Sequence, residues 1–363
     1  MSAADTETAL AATPLYVARP SVQIDGQASA LIDLNLQQLS VSEAEGGLAH
    51  LSLTLNNWGD IEGQVGLLFD AGGAVKLGSR ISVAVGDITA PQALFDGVVH
   101  ALEARCQSGG APELLLLAED GLFSLRAKRQ SRVFEALKPA DVAEQIAGEH
   151  GLTLDAGDLH TEAGTWAQFN ESDLAFLRRL AARLDFDLHL QDRTLTLRRL
   201  SDLDRGAVAL TLHSQLLQVR VTADLAQQVT AVTASGFDVR QGSNFHTSSS
   251  GTPLTTGGEA GATLLEHALG ARSEHLAALS CDSEREAQAL CDAAFDQRAR
   301  RFVRVHGMSE GNGAIRVGTR LKLDGLGNRF SGEYQTVETR HAYDLSQGYR
   351  THFVATSAVL AAA

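Results

Sequence analysis

The sequence predicts a mainly β protein with an α+β insert, in which one β-barrel occurs twice along the chain. Three observations lead to this fold class. Apolar and polar residues alternate with a period of two in two long regions of the chain. Between these regions the apolar period changes to that of an amphipathic helix. A stretch of the first β region recurs, residue type by residue type, in the second.

Composition limits the kind of protein that this chain can be. It has 363 residues, with 44 Asp and Glu against 30 Lys and Arg and a net charge of -14. That length predicts two or three domains, each able to bury a core. The acidic balance disfavours a nucleic-acid clamp, since such proteins neutralise phosphates with clustered basic residues. No apolar run reaches the roughly 18 residues of a membrane span, and the first residues lack the features of a signal peptide, so we expect a cytoplasmic product.

The first β region is predicted to cover residues 19–125, after an N-terminal tail over residues 1–18. Its strands are indicated by alternating apolar residues, with Gly, Asn and Asp between the runs. The clearest runs are Leu51, Leu53 and Leu55, followed by Ile81, Val83 and Val85. We expect this region to form the first barrel.

Residues 126–200 are predicted to form a small α+β module. Pro139 stands at a suitable first position of one helix, which Gly151 ends. A second helix begins at Ser172, whose hydroxyl can cap the free amides of the first turn, with Asp173 favourably placed against the helix dipole. Its apolar stripe includes Leu177, and a hairpin with period-two alternation follows the helix.

The second barrel is predicted to consist of residues 201–239 and 280–363. Between them, residues 240–279 contain a Gly/Ser/Thr-rich segment that predicts a long exposed loop. Ser283 and Glu286 form a capping box at the start of a further helix, and Cys291 lies on its apolar face.

An internal repeat is the most informative feature of the sequence. Residues 75–83 match residues 315–323 in character at almost every position. Gly78 with Arg80 in the first copy corresponds to Gly318 with Arg320 in the second. A few residues later, residues 95–103 match residues 330–338 at one constant offset. The matched residues there include Phe95 and Gly97 in the first copy, and Phe330, Gly332 and Tyr334 in the second. The repeat therefore predicts a strand-turn-strand unit that is present twice.

No catalytic or metal-binding constellation is found in the sequence. Gly325 and Gly327 lie between strands, so they predict a tight turn and not a dinucleotide site. His341 and His352 supply two ligands at most, fewer than zinc requires. Asp185 and Asp187 alternate with apolar residues, which places them on the solvated face of a strand. The three cysteines form no Cys-x-x-Cys pair, so we expect reduced, structural thiols, no metal and no cofactor.

The segment 169–181, which contains Glu171, Ser172, Asp173 and Leu177, strongly resembles the helix motif of the late control D family of contractile-tailed phages. The resemblance extends to residues 138–147, 95–97 and 318–334, and to His341 with residues 348–351. This family shares its fold with the baseplate hub of large myophages and with the hub half of the type VI secretion spike protein.

The resemblance implies a structural protein, a baseplate hub that needs no catalysis or cofactor. Such hubs are trimers with two tube-like barrels in each subunit, so that three copies form a pseudo-six-fold ring. The implied partners are a hexameric tail tube or tube initiator, a trimeric spike, and baseplate wedge or tape-measure proteins. In the type VI protein the hub continues into a spike, whereas this chain stops at Ala363, which implies a separate spike protein.

The expected location is a virion tail baseplate or an injection particle assembled in the bacterial cytoplasm. DNA or other cargo would then pass through the lumen without specific binding. Part of the negative charge is expected to line that channel and to repel anionic cargo. We also expect Gly332→Val to disrupt the second barrel, because the branched side chain would enter a backbone kink beside Phe330.

Two alternatives to a structural hub remain open from the residues. One is a tail-associated hydrolase that acts on cell wall, although no pair of carboxylates stands out. The other is a carbohydrate-binding β protein, which would need exposed aromatic platforms. The chain has 2 Trp and 4 Tyr, which argues against such platforms.

Overall fold

The computed structural model describes residues 19–70, 75–87, 90–157, 162–238, 241–251, 258–277, 281 and 283–361. The predicted tail, residues 1–18, lies outside these ranges. The strands are β1 Ser21–Ile24, β2 Gln27–Ala28, β3 Leu36–Ala44, β4 His50–Asn56, β5 Gly59–Ile61, β6 Gln64–Gly66, β7 Arg80–Asp87, β8 Ala90–Arg105, β9 Glu113–Asp120, β10 Arg129–Leu137, β11 Thr153–Ala156, β12 Gly164–Ser172, β13 Phe186–Gln191, β14 Thr194–Arg199, β15 Ala207–Thr211, β16 Leu216–Ala223, β17 Ala231–Asp238, β18 Ser243–Ser249, β19 Glu259–Ala260, β20 Ser273–His275, β21 Val303–Glu310, β22 Arg320–Asp324, β23 Gly332–Asp344, β24 Gly348–Ser357 and β25 Val359–Leu360. The helices are α1 Ala30–Asn35, α2 Phe123–Arg126, α3 Pro139–Glu149, α4 Asp173–Ala182, α5 Gly261–Leu269, α6 Glu284–Ala299 and α7 Gly327–Phe330, with a 3-10 turn at Leu200–Asp202.

A 13-stranded sheet forms the main body of the protein and confirms the prediction of a mainly β fold. Its strands follow the order β16-β21-β24-β23-β3-β4-β9-β8-β7-β1-β2, and β22 pairs with both β23 and β15. Neighbouring strands are antiparallel except β15 and β22, which run parallel. Buried residues of alternating strand positions form one core under β3–β9 and another under β16–β24.

Two five-stranded units with the same topology make up most of this sheet. The first unit consists of β3, β4, β7, β8 and β9, and the second of β16, β21, β22, β23 and β24. In both, the strands pair in the order first, second, fifth, fourth, third. The repeated strand-turn-strand segment of the sequence is the third and fourth strand of each unit.

β-Bulges also recur at matching places in the two units. The first strand is bulged between Leu36 and Gln38 in one unit and between Leu216 and Gln218 in the other. The fourth strand is bulged after Val99 and after Thr336. Since a bulge fixes register and local twist, the matching bulges make the pairing of the two units equivalent residue by residue.

The α+β module packs two helices on two small sheets. Helix α3 begins with Pro139, and the hydroxyl of Ser172 accepts a hydrogen bond from the amide of Ala175 at the start of α4. The backbone of Gly151 is left-handed, with φ of 66°, directly after α3. The buried faces of both helices meet the strands in a separate core, in which Leu177 is fully buried.

A third small sheet corrects the organisation expected after residue 230. Strands β17, β18 and β20 pair with one another, apart from the 13-stranded sheet, and α6 packs on them through Ala287, Cys291 and Phe295. Residues 240–279 are therefore not a loop throughout, since they contain β18, α5 and β20. The side chains of β18 alternate between exposed and buried, and because two of the buried ones are Thr247 and Ser249, its composition masks the strand pattern.

Candidate assembly site

The repeated turn has the same geometry in both units. Gly78 and Gly318 adopt φ of 87° and 89°, which favours glycine over residues with a side chain. The amide of Gly78 donates to the carbonyl of Val99 at 2.8 Å, and that of Gly318 to Thr336 at 2.9 Å. The first half of the sequence repeat therefore encodes the same left-handed turn, which leads into the third strand of each unit.

The second half of the repeat is shifted by two residues from the alignment that the sequence suggests. Gly97 lies opposite Ile81 in the first unit, and the residue in the matching place of the second unit is Tyr334, opposite Leu321. Phe330 lies in the short helix α7 and not in a strand. The Phe-x-Gly similarity thus does not mark equivalent positions, because the two units differ in the length of the connection before the fourth strand.

The expectation for Gly332 is wrong. A Cβ added there meets no heavy atom within 4 Å, so Gly332 does not lie in a crowded backbone kink. Of the two glycines matched in the repeat, Gly97 is the crowded one: a Cβ there would lie 2.1 Å from the carbonyl oxygen of Glu119 and 2.6 Å from the ring of Phe95. Gly97 lies between two strand neighbours and under an aromatic ring, whereas Gly332 begins its strand.

The two repeated arginines lie at the surface and bind different acids. The guanidinium of Arg80 contacts Asp96 at 2.6 Å, and that of Arg320 contacts Asp204 at 3.4 Å. Gly325 and Gly327 both have positive φ, 85° and 75°, in the connection after β22. This agrees with the predicted turn.

Asp173 is the centre of a buried network of hydrogen bonds and ion pairs, in addition to being an acid at the start of a helix. Its side chain is buried and accepts hydrogen bonds from Arg132 at 2.8 Å, Gln168 at 2.8 Å and Gln130 at 3.1 Å, and it contacts His150 at 2.9 Å. Burial by itself raises the pKa of Asp173, but the hydrogen bonds from His150 and Gln168 and the charge of Arg132 hold it below its usual value. Glu171, two residues earlier, pairs with Arg179 at the surface.

The two units meet where the first strand of one pairs with the fourth strand of the other. β3 and β23 are antiparallel over seven residue pairs, from Gln38 opposite Asp344 to Ala44 opposite Glu338. We call this pairing the internal joint. Arg316 binds the carboxylate of Glu43 with a forked contact across it, with Nε donating at 2.8 Å. The cores of the units also meet here, because Tyr343 and Tyr349 belong to the core of the first unit.

Charged side chains attach the α+β module to the internal joint. The guanidinium of Arg300 binds Glu45, just after β3, and Asp185, just before β13, the latter at 2.9 Å. Arg178 of α4 donates to the carbonyls of Gly46 at 2.6 Å and Gly47 at 2.8 Å. These residues border a cleft of about 580 Å³.

Asp185 and Asp187 are not on a solvated face, which corrects the sequence expectation. Asp187 is buried, and its carboxylate accepts a hydrogen bond from the amide of Gly46 at 2.6 Å. Burial raises the pKa of Asp187 to about 6. Asp185 has a left-handed backbone and precedes the strand, so the alternation of β13 does not apply to it. Both carboxylates serve to hold the chain at the joint.

His341 is completely buried in the second unit and faces the internal joint. Its Nε2 lies 2.9 Å from the carbonyl of Ile315, so Nε2 carries the proton and donates. The other nitrogen, Nδ1, then accepts from the hydroxyl of Tyr349 at 2.8 Å. His352 lies opposite Arg340, one residue out of step with His341, so the two histidines face opposite sides of the sheet.

Acidification is expected to destabilise the protein through His341. Burial, with help from the nearby charge of Arg316, lowers the pKa of His341 to about 3, whereas the unfolded residue titrates near 6.5. Between these values only the unfolded chain binds the proton, so stability falls as pH drops. From pH 7 to pH 5 we expect a loss of about 2 kcal/mol from this residue. Urea unfolding of the wild type and His341→Gln at both pH values tests this; equal losses in the two proteins would contradict it.

The described residues contain no group of three His, Cys, Asp or Glu side chains suited to a metal ion. Cys291 is buried on the apolar face of α6, as predicted, while Cys106 is exposed. Over the same residues, no helix is long and apolar enough to cross a membrane.

Comparison with solved structures places this fold among phage tail proteins. The 43 kDa tail protein of prophage MuSo2 from Shewanella oneidensis matches with a TM-score of 0.66 and 12% identity, over 93% of this chain and 97% of its own. A tail protein from Neisseria meningitidis MC58 gives 0.66 and 12%, over 94% and 96%. The c3393 protein of E. coli, a type VI secretion component with structural similarity to the T4 tail proteins gp27 and gp5, gives 0.57 and 12%, over 93% and 76%.

These neighbours agree with the resemblance found in the sequence, and at these identities they show the fold. A family model described as the Alg8 N-terminal domain matches residues 66–344, which is most of the chain. The chain belongs to this family. The matched region includes the α+β module and all of β7 to β23.

Proposed function

We propose that the protein is a structural hub subunit of a phage tail baseplate or of a related injection machine. The observation that carries this proposal is the presence of two five-stranded units with identical strand order and matching bulges in one chain. A homotrimer of such chains presents six similar units while retaining three-fold symmetry. It can therefore join a six-fold tube to a three-fold spike. Each unit would form one tube-like barrel of the ring.

The fold shared with phage tail proteins and with a type VI secretion component supports this role. The buried acids, arginines and histidine found at the internal joint bind one another and the backbone, which suits a structural part better than a catalytic one. The partners that we propose are a trimeric spike, a hexameric tube or tube initiator, and wedge or tape-measure proteins. DNA or other cargo would pass through the lumen of a particle assembled in the bacterial cytoplasm.

Mass photometry tests the proposed stoichiometry. We expect a species of three times the 38.5 kDa chain mass, either alone or on addition of a trimeric spike protein. A stable dimer that forms no ring would contradict the hub. Release of soluble fragments from purified peptidoglycan would instead support the cell-wall hydrolase.

A further inference from the structure

The internal joint uses one strand from each unit, and each unit also contains the counterpart of the other unit's joint strand, with one edge left open. The joint pairs β3, the first strand of unit one, with β23, the fourth strand of unit two. Their counterparts are β16 and β8. Among the described residues, β16 pairs with β21 alone apart from an isolated bridge between Leu216 and Leu212, and residues 101–105 of β8 pair with β9 alone. The chain therefore has two complementary open edges.

The register of the two edges follows from the matched bulges. The first strands align Leu39 with Val219 and Val41 with Val221, because both are counted from the same bulge. The fourth strands align Thr339 with Leu102 and Tyr343 with Cys106 in the same way. Applied to the open edges, the pairing of the internal joint places Cys106 opposite Val219, Ala104 opposite Val221 and Leu102 opposite Ala223.

Burial distinguishes the closed edges from the open ones. At the internal joint Val41, Thr339 and His341 are 0% exposed. At the open edges Leu102 is 39% exposed, Ala104 and Cys106 are exposed, and Val219 and Val221 are half-buried. Apolar side chains thus stand unprotected at the positions that the internal joint covers in the other unit. Such an edge is a template for pairing with a further strand.

We propose that β16 of one copy pairs with residues 101–107 of the next copy, the end of β8 and the two residues after it, in the register of the internal joint. This rests on the proposed function and specifies its subunit contact. The contact is head-to-tail, so that internal and intersubunit joints alternate and the sheets continue around a closed ring.

Three charged residues would meet at the proposed intersubunit joint, on the face of the strands opposite to Cys106 and Val219. Arg105 and Arg220 would lie opposite each other, which is unfavourable in a strand pair. Glu103 accepts a hydrogen bond from Arg105 at 2.7 Å and would lie diagonally from Arg220. We infer that Glu103 offsets the repulsion at the intersubunit joint.

The exposed native Cys106 allows a direct test with a single substitution. In Val219→Cys, Cys106 of one copy and residue 219 of the next are expected to come within disulfide distance. Mild oxidation should give dimers and trimers on a non-reducing gel, which reductant removes. Thr222→Cys is the matched control: it lies three residues along and on the opposite face, and should cross-link at least tenfold less. Val219→Cys combined with Cys106→Ser should not cross-link.

A second pair keeps the test independent of Val219. Ala104→Cys with Val221→Cys, in a Cys106→Ser background, should also cross-link. A trimer in which neither pair cross-links would overturn the edge pairing and leave the hub standing. Cross-linking in an assembly that is not trimeric would support the edge pairing and contradict the hub. A chain that stays monomeric and gives no cross-link would contradict both.

Discussion

Gly97→Ala is expected to lower the free energy of unfolding by about 3 kcal/mol, although it adds a single methyl group. The methyl group would lie 2.1 Å from the carbonyl oxygen of Glu119 on β9 and 2.6 Å from the ring of Phe95. One of these atoms belongs to the backbone of a central strand, so it cannot move without disturbing the pairing of β8 with β9. Gly97 has no left-handed backbone, and the cost is therefore steric.

Gly332→Ala is the matched control for Gly97→Ala. Both glycines lie in the fourth strand of a unit, but the added methyl group at Gly332 meets nothing within 4 Å. We expect its effect on stability to stay within about 0.5 kcal/mol. Urea unfolding of both variants measures the difference. Equal destabilisation would show that the strand start at Gly332 is as crowded as the middle of β8.

Asp173→Ala is expected to cost about 2 to 3 kcal/mol of stability, below the roughly 3 to 5 kcal/mol of a buried charge left with no partner. The substitution leaves Arg132, Gln168 and His150 without the acceptor that they share in the buried part of the module. Arg132 keeps Glu149 as a partner, at 2.7 Å, so the loss is smaller than for an isolated buried charge. Unfolding followed by urea and by near-ultraviolet circular dichroism measures this cost.

Asp141→Ala provides the control for Asp173→Ala, since Asp141 is also an acid in the first turn of a helix. It is exposed and accepts one hydrogen bond, from the amide of Lys138 at 3.1 Å. We expect it to cost less than about 1 kcal/mol. The pKa of Asp173 is lowered in the folded state, so its contribution is present at neutral pH and is lost on acidification through that pKa. The wild type and Asp173→Ala should therefore converge in stability at low pH; a gap that stays constant would contradict the charged network.

Local features of the fold were predictable from the sequence, because they depend on residues close together in the chain. The cap at Ser172, the buried stripe with Leu177 and the left-handed turn at Gly78 and Gly318 are of this kind. Each follows from a short run of side chains or from one glycine. The hydrogen bonds of the turn also explain why the first half of the repeat aligned correctly.

Features that depend on distant segments were not predictable. Glu43 and Arg316 are separated by 273 residues, and neither stands out in its own segment. The two-residue shift of the second half of the repeat depends on the number of residues that connect the third strand to the fourth. The residue types of the repeat do not reveal that number. Asp187 alternates like a solvent-facing residue, and its burial depends on groups that are distant in the chain, such as the amide of Gly46 and the charge of Arg205.

The internal joint also has a consequence for synthesis of the protein in the cell. β3 is among the first strands made, but its partner β23 lies about 300 residues later, so translation at about 5–20 residues per second leaves this edge open for tens of seconds. During that time Glu43 and Glu45 lie on the open edge or next to it, and charged residues oppose unwanted strand pairing. We expect the same carboxylates that later bind Arg316 and Arg300 to protect the nascent chain from aggregation until those arginines emerge.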